Sequence, residues 1–202
     1  MSGQAGEAPA LAGAIFLDKD GTLLENVPYN VDPAHMRLAP GVADGLALLG
    51  RLGLPLVVVS NQPGLGLGYF DTAALTGMWR HLQHLMTQAG APAAGFYYCP
   101  HPPVDGLPAC PCRKPRPGLL DQAALELAID CRTAWMIGDI LDDVEAGRRA
   151  GCHTVLVDNG GETQWRLGDH RRPHHVVTSF DDAARIVVQH QAGTTRGAET
   201  IA

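Results

Sequence analysis

No stretch of this sequence approaches the about 20 uninterrupted apolar residues that a membrane-spanning helix needs. The chain also lacks a basic excess. Its formal net charge is -6, which argues against a nucleic-acid backbone or an anionic membrane as its partner, since both favour basic faces. A few local cations and a metal can still serve a small phosphorylated molecule. No Lys or Arg precedes an apolar stretch in the opening MSGQAGEAPALAG, so no secretory signal is expected and the predicted location is cytoplasmic. A disulfide framework is missing too: the five cysteines are an odd number, and three of them crowd into one short stretch with a histidine. In a reducing compartment that pattern favours a metal.

What is present is an ordinary globular mix, 46% hydrophobic and 18% charged over 202 residues, enough for one domain with a sizeable core. Apolar runs of strand length alternate with helical patterns. Strands are predicted at Ala14–Leu17, Leu54–Val59, Gly95–Tyr98, Ala134–Ile137, Thr154–Val157 and, at an edge, His175–Thr178. Helices are predicted over 41–52, from an Asp71 N-cap to about Gln88, over 118–128, over 141–150, and from about Asp181 to His190. This alternation implies an α/β fold with a mainly parallel sheet covered on both faces. Residues 1–12 read as a flexible lead, 13–191 as one domain with an irregular loop over 99–117, and 192–202 as a flexible tail. A monomer is the default expectation for such a domain.

In parallel sheets ligands bind beyond the carboxyl ends of the strands, and Asp18, Ser60 and Asp139 each come at the end of a predicted strand. Asp18 and Asp20, two apart in a turn, can both point at one site. One can attack phosphorus while the other handles the leaving group's proton, with Gly21 allowing the tight turn and Thr22 capping the next segment. Ser60 and Asn61 can hold a phosphoryl oxygen, and Arg113 with Lys114 can offset its charge. Asp139 is placed to bind a hard cation such as magnesium, and Asp143, a helical turn on, to brace that site. Taken singly, each has a plain alternative: an Asp-rich turn, an ordinary loop, a solvated basic pair, or acids favoured by a helix N-terminus.

The ordered set is more specific. It resembles the haloacid dehalogenase (HAD) superfamily of phosphatases, whose motifs run D-x-D-G-T, S/T, K and G-D-x-x-x-D, and the resemblance spans about Ala14 to Asp158. It implies a Rossmann-like three-layer sandwich without a large cap domain. By position it implies Asp18 as nucleophile and Asp20 as general acid and base. Ser60 and Lys114 would hold the phosphoryl group, and Asp18, the Asp20 carbonyl and Asp139 would bind magnesium.

Cys99, His101, Cys110 and Cys112 form a set of soft donors that suits closed, structural, tetrahedral zinc in the proline-rich loop; a chance cluster or a disulfide is the alternative. Zinc ligands beside Lys114, in the run from Tyr97 to Gly118, make the chain similar to the D-glycero-D-manno-heptose 1,7-bisphosphate 7-phosphatases. That implies a small phosphosugar substrate in the synthesis of lipopolysaccharide precursors, with Asn61 in the substrate site and Arg113 touching substrate beyond the transferred phosphate. Two departures stand out. Relatives commonly carry an arginine after Asn61-Gln62, where this chain reads Gly64 to Gly68, and some carry a lysine where it has Ile140. Histidinol-phosphate phosphatases share both the motifs and the zinc loop. A phosphosugar-binding protein without catalysis is the reading from another class.

Overall fold

The computed structural model describes residues 13–199. Six strands form one parallel sheet: β1 (Ile15–Leu17), β2 (Leu56–Asn61), β3 (Ala93–Cys99), β4 (Trp135–Gly138), β5 (His153–Val157) and β6 (His175–Val177), in the order β3-β2-β1-β4-β5-β6. Ile15 pairs with Leu56 on one side and Trp135 on the other, so β1 sits mid-sheet.

Because strand side chains alternate between faces, the apolar runs divide into two cores. Ile15, Leu17, Val58 and Ile137 face Val42 and Leu46 of α1 (Val42–Gly50), Met78 and Leu82 of α3 (Thr72–Gln88), and Phe180 and Val187 of α6 (Phe180–Glu199). Phe16, Val57, Val59 and Met136 face Leu119 and Leu120 of α4 (Gly118–Leu127) and Ala146 of α5 (Leu141–Ala150). The result is the three-layer sandwich that the alternation predicts. Each fully buried Leu, Ile or Phe adds about 1.5–3 kcal/mol to it.

Local chemistry sets the helix ends. The Asp71 carboxylate accepts from the Ala74 N–H at 2.8 Å and starts α3, as expected. A one-turn helix not foreseen in the sequence, α2 (Pro63–Gly66), follows β2 directly, with Pro63 opening it. At the far end α6 runs on to Glu199, past the predicted stop at His190 and through most of the expected tail. No proline follows Pro173, and single glycines such as Gly193 cost a helix only about 1 kcal/mol. The lead expected over 1–12 and the last three residues of the tail lie outside the described residues. Among the described residues, no inserted domain builds a large cap over the sheet.

Candidate active site

The carboxyl end of β1 delivers Asp18, whose N–H is held by the carbonyl of Ile137 on β4 at 3.0 Å. The chain then turns through Lys19, Asp20 and Gly21. Gly21 has φ +88°, and a Cβ there would lie 2.1 Å from an Asp139 carboxylate oxygen. Only glycine lets the Asp18 turn and the end of β4 approach so closely. Thr22 does not cap the next segment; its hydroxyl donates to Asp139 Oδ1 at 3.0 Å. Asn159, just past β5, donates to the Gly21 carbonyl at 2.7 Å and lies 3.5 Å from Asp139 Oδ2.

Lys114 arrives from the irregular loop and is 2% exposed. Its Nζ bonds to Asp18, to Asp143 Oδ1 at 2.6 Å and to the Val59 carbonyl at 2.9 Å. Burial alone would lower its pKa, but the facing Asp143 and Asp18 carboxylates outweigh that and raise it. Asp143 lies in this cluster, and its Oδ2 also accepts from the Ile140 N–H at 3.3 Å.

One lysine faces three acids. Carboxylate oxygens of Asp18, Asp139 and Asp143 lie within 4.8 Å of one another, all buried. Burial, then repulsion from Asp18, pushes Asp139 up to about 7. Burial pushes Asp143 up to about 8, against the pull of Lys114. Hard oxygen donors with uncompensated negative charge fit a small divalent cation of the magnesium type.

Asp20 stands beside this cluster with its side chain 32% exposed, 2.8 Å from Lys19 Nζ. Gln62 Nε2 donates to both Asp20 Oδ2 and Ser60 Oγ, each at 2.9 Å, and so ties the second carboxylate to the serine at the end of β2. Burial among these neighbours raises the Asp20 carboxyl above its ordinary value, against Lys19. Asn61 faces the main chain of Lys114, with both side-chain amide atoms bonded there.

The soft-donor cluster assembles as well. Cys99, at the end of β3, lies 3.5 Å from both His101 Nδ1 and Cys110 Sγ, and Cys112 Sγ lies 3.3 Å from each of Cys99 Sγ, Cys110 Sγ and His101 Nδ1. The three thiols are free, not paired as disulfides. Four donors gathered this tightly can surround one tetrahedral ion. Arg113, next along, donates to the His101 carbonyl at 3.2 Å.

Comparison with known proteins agrees with this geometry. The D-glycero-β-D-manno-heptose-1,7-bisphosphate 7-phosphatase of Pseudomonas aeruginosa is 35% identical over 147 residues, 72% of this chain and 81% of that one. The enzyme of the same name from Pseudomonas putida is 34% identical over 178 residues, 85% of this chain and 95% of that one. This chain belongs to the heptose-bisphosphate phosphatase family of HAD-like hydrolases. The HAD-hydrolase-like family model matches residues 111–183, from the second half of the cysteine loop to α6. Among solved structures, the D,D-heptose 1,7-bisphosphate phosphatase of B. bronchiseptica, complexed with magnesium and phosphate, superposes with a TM-score of 0.77 at 31% identity, covering 88% of this chain and 99% of that one.

Within this heptose-bisphosphate phosphatase framework, four contributors escape a reading of the sequence alone, one being Gln62, whose amide joins Asp20 to Ser60. Asn159 carries a usable signal, since it lies just past a strand as Asp18, Ser60 and Asp139 do. Lys19, 1% exposed, looks in sequence like a solvated turn residue. Thr22 reads only as a cap so long as the neighbours of β1 are unknown.

Proposed function

We propose that this chain removes the 7-phosphate of D-glycero-β-D-manno-heptose 1,7-bisphosphate in lipopolysaccharide precursor synthesis, as a magnesium-dependent, zinc-stabilised monomeric phosphatase of the cytoplasm. The observation that carries this reading is the buried Lys114, bonded to Asp18 and Asp143 where a phosphoryl group would meet the end of β1.

Asp18 attacks phosphorus in line, forming an aspartyl-phosphate as the P–O7 bond breaks. Asp20, whose carboxyl burial shifts above its ordinary value, gives a proton to the leaving O7. Asp20 then takes a proton from water, which attacks phosphorus and releases phosphate and Asp18. Lys114, the Ser60 hydroxyl and nearby main-chain N–H groups hold the phosphoryl oxygens. Gln62 orients Asp20 toward the leaving group. Magnesium, held by Asp18, the Asp20 carbonyl and Asp139, would neutralise charge so that a carboxylate can approach a phosphate dianion. Cys99, His101, Cys110 and Cys112 would hold zinc and, through it, the approach of Arg113 and Lys114.

The test is magnesium-dependent phosphate release from both heptose 1,7-bisphosphate anomers, histidinol phosphate, hexose phosphates and a 3'-phosphorylated oligonucleotide, with Asp18→Asn as control. Preference for the β-anomer, abolished in Asp18→Asn, is expected. Turnover of histidinol phosphate instead would keep the chemistry and sink the heptose assignment. No turnover of any substrate would favour a binding protein.

A further inference from the structure

Two cavities open beside the reacting end of the sheet, and their linings differ in charge. The larger, about 700 Å³, runs between Gly21, Asn159 and the start of α6, and its charged lining residues are Glu25 and Asp181. A second phosphate would be repelled there. The smaller, about 460 Å³, abuts Lys114 and is lined by Arg113, Arg166 and Arg171 against one acid, Asp142. One wall is the cysteine loop, through Leu107 and Arg113. The other is the connection between β5 and β6, through Arg166, Leu167 and Arg171.

Bonding partners decide which of these charges face a ligand uncompensated. Arg171 is committed to the protein: its Nη1 lies 2.8 Å from Asp142 Oδ1 and 2.7 Å from Glu145 Oε2. Its Nε donates to the Arg166 carbonyl at 2.9 Å. Arg171 therefore straps the β5–β6 connection onto α5 and fixes Arg166 through its main chain. Arg166 donates to the neutral Gln164 Oε1 at 3.0 Å, and Arg113 to the neutral His101 carbonyl at 3.2 Å. Two guanidinium groups with no carboxylate partner among the described residues thus line one cavity from opposite loops. An oxyanion with several acceptor atoms, above all a phosphate dianion, matches two such forks. The segment after Asn61-Gln62, with Leu65 and Leu67, has no cation to contribute, and position 140 is isoleucine.

We infer that Arg166, with Arg113, holds the phosphate that is not transferred, and that Arg171 is the positioning residue that sets Arg166. The cavity then selects a sugar carrying two phosphates, and the β5–β6 connection sets specificity where a cap domain is missing. This inference rests on the phosphatase reading of Asp18 and Lys114.

The experiment compares wild type, Arg166→Ala and Arg171→Gln on heptose 1,7-bisphosphate, heptose 7-phosphate and 4-nitrophenyl phosphate. Binding of the two heptose phosphates to Asp18→Asn, with and without Arg166→Ala, is measured in parallel. Arg166→Ala is expected to raise KM for the bisphosphate about tenfold or more, the loss of one charge-assisted contact, with kcat nearly unchanged. The two singly phosphorylated substrates should not respond. Arg171→Gln should give the same selective KM effect at smaller size. Equal losses on all substrates, or a wild type that does not prefer the bisphosphate, would overturn the inference. If wild type fails to hydrolyse heptose bisphosphate, the functional proposal falls. Arg166-dependent preference of Asp18→Asn for the bisphosphate would still uphold this one, and equal binding would end both.

Discussion

Asn61 and Lys114 are joined twice: the Asn61 side-chain amide donates to the Lys114 carbonyl and accepts from the Lys114 N–H, each at 3.1 Å. The pair works like one rung of a sheet between the end of β2 and the exit of the cysteine loop. It fixes the main chain that aims the buried ammonium at Asp18. In the sequence the two lie 53 positions apart.

Asn61→Ala should therefore behave as a positioning lesion. Two bonds to part-buried main-chain groups are lost, which costs about 1–3 kcal/mol of stability. The kcat should fall by about 10- to 100-fold, because small displacements of a catalytic group are costly. Thermal melts and steady-state kinetics check both. A variant with normal kcat and raised KM would mean that Asn61 binds substrate directly.

The Lys114 contacts carry a second prediction, on stability. Removing one partner of a buried ion pair leaves an uncompensated charge and costs about 3–5 kcal/mol. Lys114→Met leaves Asp18 and Asp143 facing each other and should be destabilised on that scale as well as inactive. Adding Asp143→Asn removes one stranded charge, so the double variant should regain stability without activity. Urea unfolding of both variants at one pH decides it: a double variant no more stable than the single would show that the pair is not coupled.

How much of the fold and the site is legible in the sequence depends on the range of each interaction. Asp71 as an N-cap and the bounds of α5, Leu141–Ala150, are local events written into consecutive residues. Strand ends in a parallel sheet suffice to place Asp18, Ser60 and Asp139. Which side chains meet is another matter. Thr22 reaches Asp139 and Asn159 reaches Gly21 because the order runs β2-β1-β4-β5, and the order along the chain does not reveal it. The contact of Asn61 with Lys114 is hidden for a similar reason, since its partner comes from a loop with no periodicity.

With zinc in the cysteine loop, as proposed, removal of that metal should cost order and activity together. Cys99 ends β3, and Lys114 lies two residues past Cys112, so loss of the ion would free the segment that carries the ammonium. Structural zinc contributes on the order of 10 kcal/mol to folding its site. Chelation followed by magnesium alone should leave activity low and lower the melting temperature; adding one equivalent of zinc should restore both. Full turnover by the zinc-free chain with magnesium present would detach the loop from catalysis.

The opposite end of the sheet predicts a pH dependence unrelated to catalysis. Trp135 stacks on His153 at 4.8 Å and lies 6.1 Å from His175 and 5.1 Å from His190, with His174 and Arg148 beside them. Burial, then the neighbouring His190, His175 and Arg148, lowers the pKa of His153, and burial with Arg148 lowers that of His174. The His174 ring accepts the Thr154 N–H at Nδ1, at 2.9 Å, a bond that protonation of that nitrogen would break. A histidine with a depressed folded pKa stays neutral while the unfolded chain takes up its proton. Stability from these groups is therefore complete above the unfolded value of 6.5 and declines as pH falls below it. The raised carboxyls of Asp139 and Asp143 contribute with the opposite sign, so the measurement is made with magnesium at saturation. Melting temperature should then drop from about pH 7 to about pH 5.5, across the range where an ordinary histidine titrates. His153→Phe, which keeps a ring against Trp135, should flatten that drop. An unchanged slope in His153→Phe would place the acid sensitivity elsewhere in the fold.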